Sequence, residues 1–304
     1  MLTHEVEKYL RLRRACGFMM KQAQYHLRSF ARFASERGES HVLSKTAIEW
    51  AAGAPSAAAR EKRIRTLHLF VRHVRAEDTA HELPPTRLFA SGIPRRPVPY
   101  ILSPDEIGRI LHATSKLGQA GSIGPLTYYT LFGLLTVTGL RISEALALRI
   151  ENITEDGLVI LESKFHKSRL VPLHETTKAS LQSYIKQRCK IGGLDDHIFI
   201  STKGRALKYG AAIRTFRKLV TDLGLHPRKG QRPPRLHSLR HTFAVRSLET
   251  CTRGSQNVTR HLLALSTYLG HACARDTYWY LQATPHLMTD IADACEGFIE
   301  GEQP

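Results

Sequence analysis

The chain has 304 residues, with 44 Lys and Arg against 27 Asp and Glu, giving a formal net charge of +17. That length exceeds one ordinary core and points to two domains, and an apolar fraction of 42% excludes wholesale disorder. So large a positive excess calls for an acidic partner, which leaves DNA, RNA or an anionic membrane surface.

The membrane is the weakest of the three. No apolar run reaches the roughly 20 residues that a spanning helix needs. The longest, "LTYYTLFGLLTV" at 126 to 137, reads as a buried core helix. The N-terminus "MLTHEVEKYLRLRR" lacks the apolar region of a signal peptide, so a cytoplasmic protein is expected. Five cysteines, widely spaced and without a CxxC pair, read as reduced, mostly half-buried thiols rather than a disulfide framework or a zinc ribbon.

Residues 1–90 read as a helical, basic domain. Apolar residues recur at helical spacing in "VEKYLRLRRACGF" and in "YHLRSFARFASERG", where the glycine is a stop. "SKTAIEWAAG" predicts a third helix capped by Ser44, and "SAAAREKRIRTLHLFVRHVRAE" a fourth capped by Ser56. Residues 91–100 form a basic linker, because the prolines of "ASGIPRRPVPYI" break any helix.

A second domain, 101–285, opens with "LSPDEIGRIL", where Ser103, Pro104 and Glu106 have the order of a capping box. Helices continue to about residue 150. Then "GLVILES" and "SRLVPL" predict a β-hairpin around "KFHK", with "HIFIS" at 197 to 201 as a third strand. Helices resume beyond it. The tail, 286–304, sets Leu287, Ile291, Cys295 and Phe298 on one helical stripe, suited to docking on its own domain or on a neighbouring subunit. The expected class is mainly α with a small antiparallel β-sheet.

Four patches carry chemistry. Arg141 and Glu144 lie three apart in the apolar "TVTGLRISEALALR". An arginine in such surroundings needs an anion, which is either Glu144 itself or a ligand. Lys164, Lys167 and Arg169 surround the hairpin turn, where they either contact a phosphate or form a solvated charged turn. His237, Arg240 and His241 in "HSLRHTFA" share one helix face. That face suits a phosphate, because Arg offers a fork of donors and His exchanges protons near neutrality. A metal there is disfavoured by the arginine between the two histidines. Finally, His271 follows a Leu-Gly helix end, and Tyr280 comes nine residues later.

Taken together, "TGLRISEALAL", "SKFHKSRLVPL", "HSLRHTFA" and "LGHACARDTYWYL", in this order, resemble the tyrosine recombinase (integrase) family of phages, plasmids and transposons. The resemblance covers about residues 100 to 285. It implies a two-domain clamp in which the helical first domain binds DNA. It also implies a strand-transferase that cuts DNA through a 3′-phosphotyrosyl link, with neither metal nor ATP as cofactor.

In that scheme Tyr280 is the nucleophile. Arg141 and Arg240 hold the non-bridging phosphate oxygens, and Lys164 protonates the leaving 5′-oxygen; Lys167 is the competing lysine because glycines that many members carry are absent here. His237 accepts or steers the tyrosine proton, and His271 donates to the phosphate. Glu144 orients an arginine or histidine, and His241 is a satisfied structural histidine beside the face. Tyr278 and Trp279 become packing supports for the nucleophile's helix.

The implied partners are double-stranded DNA recombination sites, further copies of the chain forming a dimer to tetramer on DNA, and accessory DNA-bending proteins. The implied setting is the bacterial cytoplasm and its nucleoid, and a mobile element is the implied source. The readings from other classes are a type IB topoisomerase-like relaxing enzyme and a non-enzymatic DNA-binding regulator.

Overall fold

The computed structural model describes residues 2–89, 98–119, 121–161, 168–191, 195–227, 231–250, 255–270, 273 and 275–281. The linker at 90–97, Lys164 and Lys167, His271 and the tail stripe therefore lie outside the described residues. The chain divides into two units, Met1–Arg96 and Pro97–Pro304.

The described residues of the first unit form four helices, α1 (Leu2–Ala15), α2 (Lys21–Ser35), α3 (Ser44–Ala52) and α4 (Ala57–Val74). Each buries residues at helical spacing, such as Leu27, Phe30, Ala31 and Ala34 on α2. Edge-on aromatic pairs, Tyr9 with Phe70 and Phe30 with Trp50, fill the core between them. Ser56 caps α4 by accepting a hydrogen bond from the Ala59 N–H.

Ser44 does not cap α3. Leu43 holds that position with no side-chain bond, and Ser44 is the first helical residue. Its N–H donates instead to the Glu82 carboxylate at 2.7 Å. A carboxylate satisfies an orphan donor and also meets the positive end of the helix dipole, which a hydroxyl does not.

The second unit is built on α6 (Gly124–Thr138), the expected core helix, which buries Thr127, Leu131, Phe132, Leu134 and Leu135 among others. Before it, α5 (Pro104–Ala113) starts with the full capping box: Glu106 N–H to Ser103 Oγ at 3.1 Å and Ser103 N–H to Glu106 Oε2 at 2.8 Å. After it come the short α7 (Ile142–Ala147) and strands β1 (Ile153–Thr154), β2 (Gly157–Ile160) and β3 (Arg169–Val171). These pair antiparallel in the order β1-β2-β3, with Leu158 opposite Val171. The architecture among the described residues is mainly α with this one small sheet, the class expected from the sequence.

Three details differ from the sequence reading. The third strand is Ile153–Thr154, whereas 197 to 201 makes only isolated bridges, Arg149 with His197 and Ile200 with Ala206. Ile198, Phe199 and Ile200 are all buried, so the run serves as core filler rather than as an alternating strand. The helix α8 (Glu175–Cys189) was not expected either; it buries Leu181 and Tyr184. The described cysteines Cys16, Cys189 and Cys273 are free and exposed, not half-buried.

Three further helices, α9 (Tyr209–Asp222), α10 (Leu236–Glu249) and α11 (Ser255–Leu269), precede the short α12 (Arg275–Leu281). Ala244, Val245 and Leu248 of α10 pack with Leu262, Leu265 and Leu269 of α11 and with Tyr280 of α12. The start of the unit is tied to α10 by a buried bond, Leu102 N–H to Thr242 Oγ1 at 2.9 Å.

The two serines at helix starts should separate in urea unfolding. Ser103→Ala removes a working cap and should cost about 1 kcal/mol, whereas Ser44→Ala should change stability by less than about 0.5 kcal/mol.

Candidate active site

Two helices end at left-handed glycines, and their last carbonyls build the site. Gly139 (φ 59°) terminates α6 and Gly270 (φ 65°) follows α11. Only glycine fits at either position. A Cβ on Gly139 would lie 2.4 Å from the Phe243 ring, and one on Gly270 would lie 2.8 Å from Arg169 Nη1.

Helix ends leave unpaired carbonyls, and here they accept from arginines. Arg240, 2% exposed, donates from Nη1 to Gly139 O at 2.8 Å and from Nη2 to Leu269 O at 2.7 Å. Arg141, at the N-cap of α7, donates from Nη2 to Gly270 O at 2.9 Å. Arg169 of β3 donates from Nε to Tyr268 O at 2.7 Å.

Glu144 joins two of these arginines. Its Oε1 accepts from Arg141 Nη1 at 2.7 Å, and its two oxygens accept from Arg169 Nη1 and Nη2 at 3.2 and 2.8 Å. Its side chain is 6% exposed, against 11% for Arg169. Burial alone would raise the Glu144 carboxyl, but the Arg169 fork and the Arg141 backbone and side-chain donors outweigh it and hold it below the usual range. Arg169 is therefore neither a solvated turn residue nor open to a phosphate, as the sequence reading had it. It braces the hairpin against the end of α11. The signal that could have exposed it is an arginine within the apolar strand run "RLV", where a charge needs a buried partner.

On α10 the spacing brings His237, Arg240 and His241 to one face. The rings of His237 and His241 meet edge to face at 4.4 Å. Crowding by the protein, together with the charges of Arg240 and Arg141, pulls His237 down to about 4. The residue is nonetheless exposed, so the two charges are the firmer cause. Burial, with Arg141 nearby, lowers Arg240 to about 10, which leaves it protonated at neutral pH.

Tyr280 of α12 reaches this face. It is 3% exposed, its hydroxyl oxygen lies 3.2 Å from His241 Nδ1, and Arg240 also hydrogen-bonds it. Burial raises its pKa, and Arg240 opposes that only in part. Trp279 is half-buried with its ring 5.1 Å from His241, whereas Tyr278 is 53% exposed. Tyr278 is thus not the packing support expected of it; at roughly 100° per residue on a helix, it cannot share the inward side with Tyr280. Among the described residues no group of three or more His, Cys, Asp or Glu is placed to hold a metal ion, and no helix is long and apolar enough to cross a membrane.

The Phage integrase family model matches residues 101–286. A putative integrase/recombinase of Sinorhizobium fredii, y4rB, is 36% identical over 296 residues, which is 94% of each chain. Tyrosine recombinase XerD of Mycobacterium tuberculosis is 30% identical over 248 residues, 79% of this chain and 74% of that one. The fold is shared with the Tn1549 transposon integrase, solved in complex with transposon right end DNA, at a TM-score of 0.65 and 17% identity over 91% of this chain and 94% of that one. The chain belongs to the phage integrase family, the tyrosine recombinases, which are DNA strand-transferring enzymes. This membership favours recombination over the topoisomerase-like and regulator readings.

Removing the carboxylate that joins Arg141 and Arg169 should be costly. Glu144→Gln leaves two guanidinium groups facing an uncharged amide and should lose about 3 kcal/mol at pH 7. Because the folded pKa of Glu144 lies below its unfolded value, this contribution is present above pH about 4.3 and fades as pH falls through the folded value. The gap between wild type and Glu144→Gln in urea unfolding should therefore narrow as pH is lowered toward about 3.

Proposed function

We propose that the chain is a site-specific recombinase of a mobile element, acting on double-stranded DNA sites through a 3′-phosphotyrosyl link at Tyr280. The observation that carries this reading is the meeting of the Tyr280 hydroxyl with Arg240 and with the histidine face of α10, beside Arg141. A buried phenol set against two arginines suits a phosphodiester, because charge builds on its oxygens as the phenol attacks.

Each arginine η nitrogen carries two hydrogens. A carbonyl bond on one hydrogen leaves the other for a non-bridging oxygen, so Arg141 and Arg240 are held in place without being used up. Lys164 protonates the leaving 5′-oxygen, and His271 donates to the phosphate. A bound phosphate offsets the arginine charges that depress His237 and turns that ring into a further donor.

The basic α9, with exposed Arg214, Arg217 and Lys218, suits contacts to DNA. Residues 1–90 form the second DNA-binding part, joined through 91–100 to the catalytic part at 101–285. The tail, 286–304, docks on a neighbouring copy, and the assembly on DNA is a dimer to tetramer. Its place of action is the cytoplasm, on the nucleoid.

The test is a suicide duplex, nicked so that cleavage traps the protein, carrying a site selected by binding from a randomised DNA pool. Tyr280→Phe should bind this DNA normally and form no covalent complex on a denaturing gel. Tyr278→Phe should form it at the wild-type rate. Loss of trapping in Tyr278→Phe instead would reassign the nucleophile.

A further inference from the structure

The buried Tyr280 hydroxyl raises a question that the arginines do not answer. They stabilise charge on phosphate but cannot accept a proton, being protonated themselves. Burial makes the phenol harder to ionise beforehand. Its proton must therefore leave during the attack, to an acceptor within hydrogen-bond reach.

A ring nitrogen in that position is on His241. Its Nδ1 lies 3.2 Å from the Tyr280 oxygen, across the packed contact between α10 and α12. The ring is steered from two sides, edge to face by His237 at 4.4 Å and by Trp279 at 5.1 Å. An Nδ1 facing a hydroxyl accepts when the ring proton sits on Nε2.

We propose that His241, through Nδ1, takes the proton of Tyr280 as the phenol oxygen bonds to phosphorus, and returns it when the DNA is rejoined. This rests on Tyr280 as the nucleophile. In cleavage the Oη–H bond breaks and its proton moves to Nδ1. The Oη–P bond forms, and the P–O5′ bond breaks. The leaving 5′-oxygen keeps the electron pair and takes a proton from the general acid. In rejoining, the 5′-hydroxyl gives its proton back to that acid and attacks phosphorus, the P–Oη bond breaks, and Oη takes back the proton held by His241. Protons balance in both directions with no cofactor.

The assignment moves the acceptor role from His237, to which the sequence reading gave it, to the residue read as merely structural. The arginine charges beside His237 make it a poor base until phosphate is bound. They leave it suited to donating a hydrogen bond to the phosphate.

The test measures single-turnover formation of the covalent complex on the suicide duplex, with either an ordinary phosphodiester or a 5′-bridging phosphorothiolate at the cleaved bond. Sulfur leaves without protonation, so that substrate relieves loss of the general acid but not loss of the base. His241→Ala should slow cleavage about 100-fold on both substrates, with DNA binding and thermal unfolding close to wild type, and added imidazole should recover part of the rate. His241→Gln keeps a hydrogen-bonding group but cannot carry the proton; it should be as slow, and it serves as the folded control if the alanine variant is unstable.

Wild-type cleavage by either variant, or full recovery of His241→Ala on the sulfur substrate, would overturn the proposal. A covalent complex in Tyr280→Phe would overturn the nucleophile assignment on which it rests. Tyr280→Phe inactive with His241→Gln at full rate would sink the His241 role alone.

Discussion

The candidate site depends on how three arginines are kept in place around one carboxylate, Glu144, which bonds two of them. Arg141, Arg169 and Arg240 converge on the ends of two helices. Carbonyls of Gly139, Tyr268, Leu269 and Gly270 take four of their hydrogen bonds. Helix C-termini carry partial negative charge, which holds a cation without neutralising it. Glu144 offsets one charge of the three. The remainder is a fixed positive field, which a phosphodiester can enter without displacing any bond that holds the side chains.

The same arrangement sets the order of the parts. Gly139 and Gly270 must be glycines because their left-handed turns aim the carbonyls inward while Phe243 and Arg169 lie against them. Arg169 couples strand β3, and with it the hairpin, to the end of α11. Arg141 couples the start of α7 to the same place. Sequence segments 99 to 129 residues apart are therefore registered to one another by backbone oxygens rather than by side chains specialised for the purpose. Tyr280 arrives last in the chain and is buried against a surface already charged and fixed. Its burial raises the pKa of the phenol, with Arg240 opposing that only in part, so the ring stays protonated at neutral pH.

How much of this was legible in the sequence follows from where each interaction lies along the chain. The capping box at Ser103 is local, within four residues, and could be read directly. So could the shared face of His237, Arg240 and His241, which needs only the helical period, and the core helix at 126 to 137. Ser44 misled because its helix start is satisfied by Glu82, 38 residues away, which no local pattern signals. "HIFIS" misled because a short buried apolar run has no period of its own, and its neighbours decide whether it pairs. Arg169 sat in a stretch read as a charged turn, and only the fold shows that Glu144 is its partner. The carbonyl acceptors were invisible, since every residue has one; the glycines that end α6 and α11 were the only trace.

Lysine could not replace the arginines in this design. Arg240 spans two carbonyls on two different helices and also reaches Tyr280, which takes several donors spread across a rigid plane. A lysine ammonium has three donors on one atom and could serve one helix end only, leaving a buried carbonyl unsatisfied at a cost of roughly 1–3 kcal/mol. The guanidinium is at once the pin that joins α6 to α11 and the charge that faces the Tyr280 phenol. Structural and chemical demands on Arg240 are therefore inseparable, whereas His241 and Tyr280 meet across α10 and α12 through their side chains, so a change as small as Tyr280→Phe leaves the arginine bonds to the helix ends in place.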